Sequence, residues 1–209
     1  LKPRRAQPFF GHHPWVFTGA IDRVEGEIDD GTEVELFSNT DEFIAVGLFN
    51  SQSNIRVRLY SWDREQNLDR AFFQKKIQTA ILHRDDAQSA RRLVFSEGDG
   101  LSGLIVDCYD RWLVVQVTAL GLAQRLDWIL DILEELIEPE GIFLRTARGI
   151  RELEGLELHD GLMRGSVPSQ PIEIEEYGVR FLVHLQEGQK TGFYCDQREN
   201  RRWVAEQSN

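Results

Sequence analysis

The hydrophobic period of this chain changes near Asp63–Asn67, and that change limits the folds open to it. Before it, apolar residues alternate. Ile55, Val57 and Leu59 point to one side and Arg56, Arg58 and Tyr60 to the other, the period of a half-buried strand. Further strands are expected at Thr32–Phe37 and Phe43–Phe49, bounded by the turn clusters Asp29-Asp30-Gly31, Asn39-Thr40-Asp41 and Asn50-Ser51-Gln52. After the change, Phe73, Ile77, Ala80 and Ile81 share a helical face, with Asp69 placed as its N-cap. The pattern predicts a β-rich unit over residues 1–67 and a second unit from residue 68.

In the second unit, Leu104–Tyr109 and Trp112–Val117 form a predicted hairpin around Asp110-Arg111. An amphipathic helix follows, with Leu126, Ile129, Leu130, Leu133 and Ile137 on one face and Pro139 just beyond its end. Strands return at Ile142–Arg145, Ile172–Glu176 and Val179–Leu185, the last two reversing at Tyr177-Gly178. The order strand, strand, helix, strand, strand predicts an α+β domain over 68–186. From Asp196 a helix is expected, because Asp196 and Glu199 have capping-box spacing and Arg198, Arg201 and Arg202 follow. Residues 187–209 are read as the start of a truncated third domain, with a frayed terminal helix as the alternative.

Charge constrains function. The net charge of −11 argues against a protein that coats nucleic acid through excess Lys and Arg. The acid is concentrated in the middle: residues 76–185 hold 11 basic and 19 acidic side chains, against 9 and 12 in residues 1–75 and 4 and 4 in residues 186–209. An RNA partner should therefore favour the two ends. Cys108 and Cys195 are far apart, which fits reduced thiols in a cytoplasm. No apolar run approaches the roughly 20 residues that span a bilayer, so a soluble cytoplasmic chain without a membrane partner is expected. The five histidines show no metal-ligand spacing, and no metal is expected.

Several residues invite two readings. In His13-Pro14-Trp15, the rings can stack on an unpaired base or anchor the core; Trp15 is assigned to the core, and His12 and His13 to RNA. Arg56 and Arg58 can grip phosphates from one strand face or blunt a solvated edge. Arg145, Arg148 and Arg151 can bind RNA or pair with Glu152, Glu154 and Glu157. Gly188-Gln189-Lys190-Thr191-Gly192 is not a phosphate loop, since Gln189 stands where that motif needs glycine. Neither cysteine is assigned as a nucleophile: Cys108 alternates with Leu104 and Val106 as a core residue, and no catalytic residue is named.

Three stretches carry a resemblance. His13-Pro14-Trp15-Val16-Phe17-Thr18-Gly19-Ala20-Ile21, Ser96-Glu97-Gly98-Asp99-Gly100-Leu101-Ser102-Gly103-Leu104-Ile105-Val106-Asp107 and Glu187-Gly188-Gln189-Lys190-Thr191-Gly192-Phe193-Tyr194-Cys195-Asp196-Gln197-Arg198 occur in the order seen in the RlmI-type large-subunit ribosomal RNA methyltransferases, which this chain resembles. The resemblance implies a PUA-like barrel, a central α+β domain and a C-terminal Rossmann-like domain that binds S-adenosylmethionine, of which the first two are expected here and the third is expected to be absent. It also implies that Lys190, Thr191, Phe193, Asp196, Gln197 and Arg198 border the cofactor or target base, that ribosomal RNA is the partner, and that the product is 5-methylcytosine, with modification of a guanine, as in relatives with a similar central domain, as the alternative. A homodimer is left open. The competing expectations are a stand-alone PUA-type RNA-binding or assembly module, and an acidic protein-interaction domain.

Overall fold

The computed structural model describes residues 1–84, 89–146, 149–188 and 191–208. The N-terminal unit is a four-stranded sheet ordered β1 (Trp15–Phe17), β4 (Ile55–Ser61), β3 (Phe43–Phe49), β2 (Glu33–Phe37), with every neighbouring pair antiparallel. A short helix, α1 (Gln7–Phe10), closes one side of it. Val57 and Leu59 of β4 pack there with Phe9, Val16, Leu36 and Ile44, so the alternation read from the sequence defines a real apolar face.

The opposite face of β4 corrects an expectation. The alternation predicts a binding surface exposing Arg56, Arg58 and Tyr60, yet Arg58 and Tyr60 are 8% and 1% exposed. Tyr60, with Val46 and Leu48 of β3, belongs to the core of the second unit. Both faces of this sheet are therefore covered, and the two units share one continuous core.

The second unit opens with α2 (Arg70–Leu82), where the Asp69 carboxylate accepts the Phe72 N–H at 2.9 Å, as the N-cap reading requires. Its five-stranded sheet runs β5 (Ala90–Phe95), β6 (Leu104–Tyr109), β7 (Trp112–Val117), β8 (Gly141–Arg145), β9 (Gly161–Gly165). The β6–β7 hairpin has the predicted bounds, whereas β7 and β8 run parallel through a crossover that holds α3 (Leu120–Ala123) and α4 (Leu126–Ile137). Parallel neighbours need such a crossover, and the helical period of Leu126–Ile137 supplied it.

The strand-strand-helix-strand-strand order is incomplete in two ways. β5 and β9 were not anticipated, and β10 (Ile172–Glu176) with β11 (Val179–Val183) forms a separate two-stranded sheet instead of extending the central one. β5 begins Ala90-Arg91-Arg92, and its charge pattern resembles a loop until Arg92 is seen beside Asp107 across the strand pair. β9 is bracketed by Gly161 and Gly165; at Gly165 (φ 58°) a Cβ would lie 2.1 Å from the Glu140 carbonyl, so this close crossing admits only glycine.

Alternation along β6 and β7 assigns the two faces of the central sheet. Leu104, Val106 and Cys108, with Leu113, Val115 and Val117, face the helices, while Tyr109 and Val114 face Ile174, Val183 and Leu185 of the hairpin layer. The hairpin reverses at Tyr177-Gly178 with φ of 51° and 79°, the left-handed pair that a two-residue turn demands. The last helix, α6 (Arg198–Gln207), follows a 3-10 turn at Cys195–Gln197. Its N-cap is Gln197 without a side-chain cap, so the Asp196–Glu199 capping box does not form; Glu199 instead accepts a hydrogen bond from the Tyr177 hydroxyl. Among the described residues no helix is long and apolar enough to cross a membrane.

Candidate nucleic-acid interface and the adjoining strip

His12 and His13 lie on the turn that leaves α1, both exposed. His12 adopts a left-handed backbone (φ 63°), and its ring stacks on Trp62 at 4.4 Å between centroids and 25° between planes. Trp62 is itself fixed, its indole N–H donating to the Phe9 carbonyl at 2.7 Å. The result is an aromatic platform with an outward imidazole, a geometry on which an unpaired base can stack. His13 is turned inward by comparison: its Nδ1 accepts the Trp15 backbone N–H at 3.2 Å.

Arg4 and Arg5 sit on the same N-terminal segment, exposed and without a side-chain hydrogen bond or ion pair among the described residues. Sequence reasoning passed over them. The sequence signal that marks them is the basic pair in Leu1-Lys2-Pro3-Arg4-Arg5. Two exposed guanidiniums and an aromatic platform, contributed by one PUA-like unit, are the charge and π-surface that single-stranded RNA uses.

The other arginines expected to hold RNA are engaged internally. Arg58 donates to Glu154 at 2.9 Å and to Ser102 at 3.2 Å. Glu154 in turn accepts from Ser53 at 2.7 Å and from the Asn50 amide, while Trp15 donates to Glu97 at 2.9 Å and Ser102 at 3.0 Å. This network joins the two units; Trp15, expected in the core, is instead half-buried and takes part through its indole N–H. Arg56 donates to the Asn50 and Ser51 carbonyls and braces its own turn, half-exposed. Arg145 donates to the Gln186 and Gly188 carbonyls and lies 3.5 Å from Asp160. Arg151 donates to the Leu158 carbonyl, and Arg148 lies outside the described residues. These contacts and their burial, with side chains 10% and 13% exposed, leave Arg58 and Arg145 little surface to offer a phosphate.

The strip from Thr191 to Arg198 lies on the face of the central sheet away from the helices. Thr191 is 1% exposed and its hydroxyl donates to the Asp107 carboxylate, so it is an anchor and presents no surface to a cofactor. Asp107, itself 0% exposed, also receives a two-pronged pair from Arg92 at 2.8 and 2.9 Å. Phe193 packs 5.1 Å from Phe181 and beneath the Arg201 guanidinium, with its N–H donating to the Tyr109 hydroxyl at 2.9 Å. Arg198 lies over the Tyr177 ring at 4.3 Å. Of the strip residues assigned to a cofactor wall, Asp196 and Gln197 are exposed; Lys190 lies outside the described residues. A carboxylate and an amide can pair with hydroxyl and amine groups, whereas Thr191 is buried and Phe193 half-buried.

Cys195, half-buried in this layer, has its thiol pushed up to about 12, by burial first and by the Asp107 charge second. Burial likewise raises the Tyr109 hydroxyl above its ordinary value. Burial thus disfavours the thiolate of Cys195 and the phenolate of Tyr109. Cys108 is buried against the helix-facing side of the sheet.

Residues 1–62 match a family model described as a PUA-like domain. Over 206 residues the chain is 36% identical to ribosomal RNA large subunit methyltransferase I of Aeromonas salmonicida (strain A449), covering 96% of this chain and 52% of the relative. The protein of the same name from Escherichia coli O139:H28 (strain E24377A / ETEC) is 34% identical over 206 residues, with the same coverage of 96% and 52%. Among solved structures, a candidate SAM-dependent methyltransferase from Streptococcus mutans superposes with a TM-score of 0.77 at 19% identity, over 96% of this chain and 52% of that one. The crystal structure of SMU.776, a candidate methyltransferase complexed with SAH, superposes with a TM-score of 0.78 at 20% identity, over 95% and 51%. At such identities the two structures speak for the fold alone. The chain spans about half the length of the curated relatives it matches.

Proposed function

We propose, starting from the likeness to large-subunit ribosomal RNA methyltransferases, that this chain is the RNA-holding part of an enzyme that methylates ribosomal RNA with S-adenosylmethionine, with cytosine C5 as the acceptor. The observation that carries the RNA half of this reading is the His12–Trp62 stack on the same segment as unpaired Arg4 and Arg5, within the residues that match a PUA-like domain. The donor, held by the remaining length that the relatives possess, supplies an electrophilic methyl group. In this chain Arg4 and Arg5 attract phosphate, His12 on Trp62 stacks a base, and the shared core holds that surface in a set relation to the central sheet. Asp196 and Gln197 border the donor from the side of this chain.

The test is RNA affinity across salt, read by fluorescence anisotropy with a single-stranded ribosomal RNA oligonucleotide. Binding is expected to weaken with salt, and the combined Arg4→Ala and Arg5→Ala change should lower the log-log slope by about 1.4, or 0.7 per lost phosphate contact. No binding at low salt would reject the RNA reading in favour of a protein-interaction domain. Calorimetry with S-adenosylmethionine should show binding by the longer protein and none by this chain; tight binding by this chain would reject the division of labour.

A further inference from the structure

The strip at Thr191–Cys195 is tied to the central sheet by side chains. Asp107 accepts from Thr191, and the Tyr109 hydroxyl accepts the Phe193 N–H at 2.9 Å. Asp107 and Tyr109 are alternate residues of β6, on the face away from the helices, and Arg145 at the end of β8 holds Gln186 and Gly188 just upstream. Asp107 is 0% exposed, and its bidentate pair with Arg92 on the neighbouring strand already neutralises it. A buried ion pair contributes little net stability against apolar residues of the same volume; its better-attested use is to specify one arrangement among several. Here the additional partner is a hydroxyl from a segment 84 residues further along. The Thr191 hydroxyl on this carboxylate, with the Phe193 N–H on the Tyr109 hydroxyl, sets which residues of the strip stand at these points on the sheet.

We propose that Asp107 is a positioning residue, which through Thr191 sets the register of the strip on the sheet and so the place of Asp196 and Gln197. The last clause rests on the functional reading above, in which those two exposed side chains border the methyl donor. Apolar packing of Phe193 on Phe181 and Arg201 holds the strip down but does not choose its register, because stacked and apolar contacts tolerate sliding more than a buried hydrogen bond does. Arg92 acts with Asp107: its two-pronged pair orients the carboxylate, and Oδ2 accepts from both the Arg92 guanidinium and the Thr191 hydroxyl.

The experiment compares Thr191→Val, which keeps shape and removes the hydroxyl, with Thr191→Ser, which restores it. Hydrogen exchange of the 209-residue chain is expected to quicken roughly fivefold at the Phe193–Arg198 amides in the valine variant, the scale of one lost hydrogen bond. Exchange in β6 and β7 should stay unchanged, and the serine variant should match the parent. In the longer methyltransferase, Thr191→Val should raise the KM for S-adenosylmethionine by a similar factor and leave kcat nearly unchanged, with Thr191→Ser restoring KM. Unaltered strip exchange in the valine variant would overturn the latch, and quickened exchange with an unchanged KM would overturn its positioning role. If the unsubstituted longer protein fails to methylate RNA, the functional reading falls instead, and the two failures are separable because the exchange result is obtained on this chain alone.

Discussion

Arg58 and Glu154, 96 residues apart, meet at 2.9 Å across the junction of the two units with side chains 10% and 7% exposed. Ser53 and Asn50 donate to Glu154 and Ser102 accepts from Arg58, while the buried Arg58 Nε has no partner. An arginine that alternation places on a strand's polar face thus serves as a bolt between domains.

Removing Arg58 leaves Glu154 buried without a cation, and removing Glu154 leaves Arg58 only Glu97 at 3.9 Å. Glu154→Gln and Arg58→Met should each destabilise the chain by about 3–5 kcal/mol. Thermal unfolding followed by circular dichroism should show the loss, at about 2–4 °C per kcal/mol for a chain of this size. RNA affinity below the transition should be unchanged. An affinity loss in Arg58→Met without a stability loss would return Arg58 to the RNA surface.

Because Val46, Leu48 and Tyr60 complete the core of the central unit, the two units should unfold together. Calorimetry is expected to show one transition. Gly121→Ala, whose added Cβ would fall 2.6 Å from Leu48 Cδ1, should lower its midpoint by overpacking of about 1–3 kcal/mol while keeping it single. Two resolved transitions would contradict the shared core.

The Glu97 carboxyl provides a pH test. Burial alone would raise it, but hydrogen bonds from Ser102, Ser96 and Trp15 outweigh that and hold it below the ordinary carboxylate value. A depressed folded value means that the unfolded chain binds the proton more tightly. The Glu97 contribution is therefore complete above about pH 4.3 and is lost as pH falls through the lower folded value. Glu97→Gln should flatten the acid limb of the stability profile, as midpoint measurements against pH would reveal; an unchanged limb would remove Glu97 from the junction energetics.

Cys195 should resist alkylation. With its thiol pushed up to about 12, almost no thiolate exists at about pH 8, where a free cysteine near 8.5 reacts readily. Mass spectrometry after iodoacetamide treatment is expected to find Cys195 unmodified in the folded chain and modified in denaturant. Rapid labelling of the folded chain would show that the strip opens.

The alternation and helical period of the sequence were enough to place β3, β6, β7 and α4 with their observed bounds, since each of these patterns is complete within one element. The Asp69 cap and the Tyr177-Gly178 turn were legible for the same reason: cap and turn chemistry acts over two to four residues. The resemblance drew attention to Thr191, Phe193, Asp196 and Gln197 as a strip, but it did not sort them into anchors and exposed groups.

That sorting belonged to the tertiary structure. Whether Arg58 faces RNA or Glu154, and whether Thr191 faces a cofactor or Asp107, depends on partners 96 and 84 residues away. So does β5, whose Arg92 reads as a loop charge until Asp107 stands opposite it. Local sequence sets which faces a strand or helix has; burial of a charge depends on a distant partner to accept it, and only the packed chain brings that partner within hydrogen-bond reach.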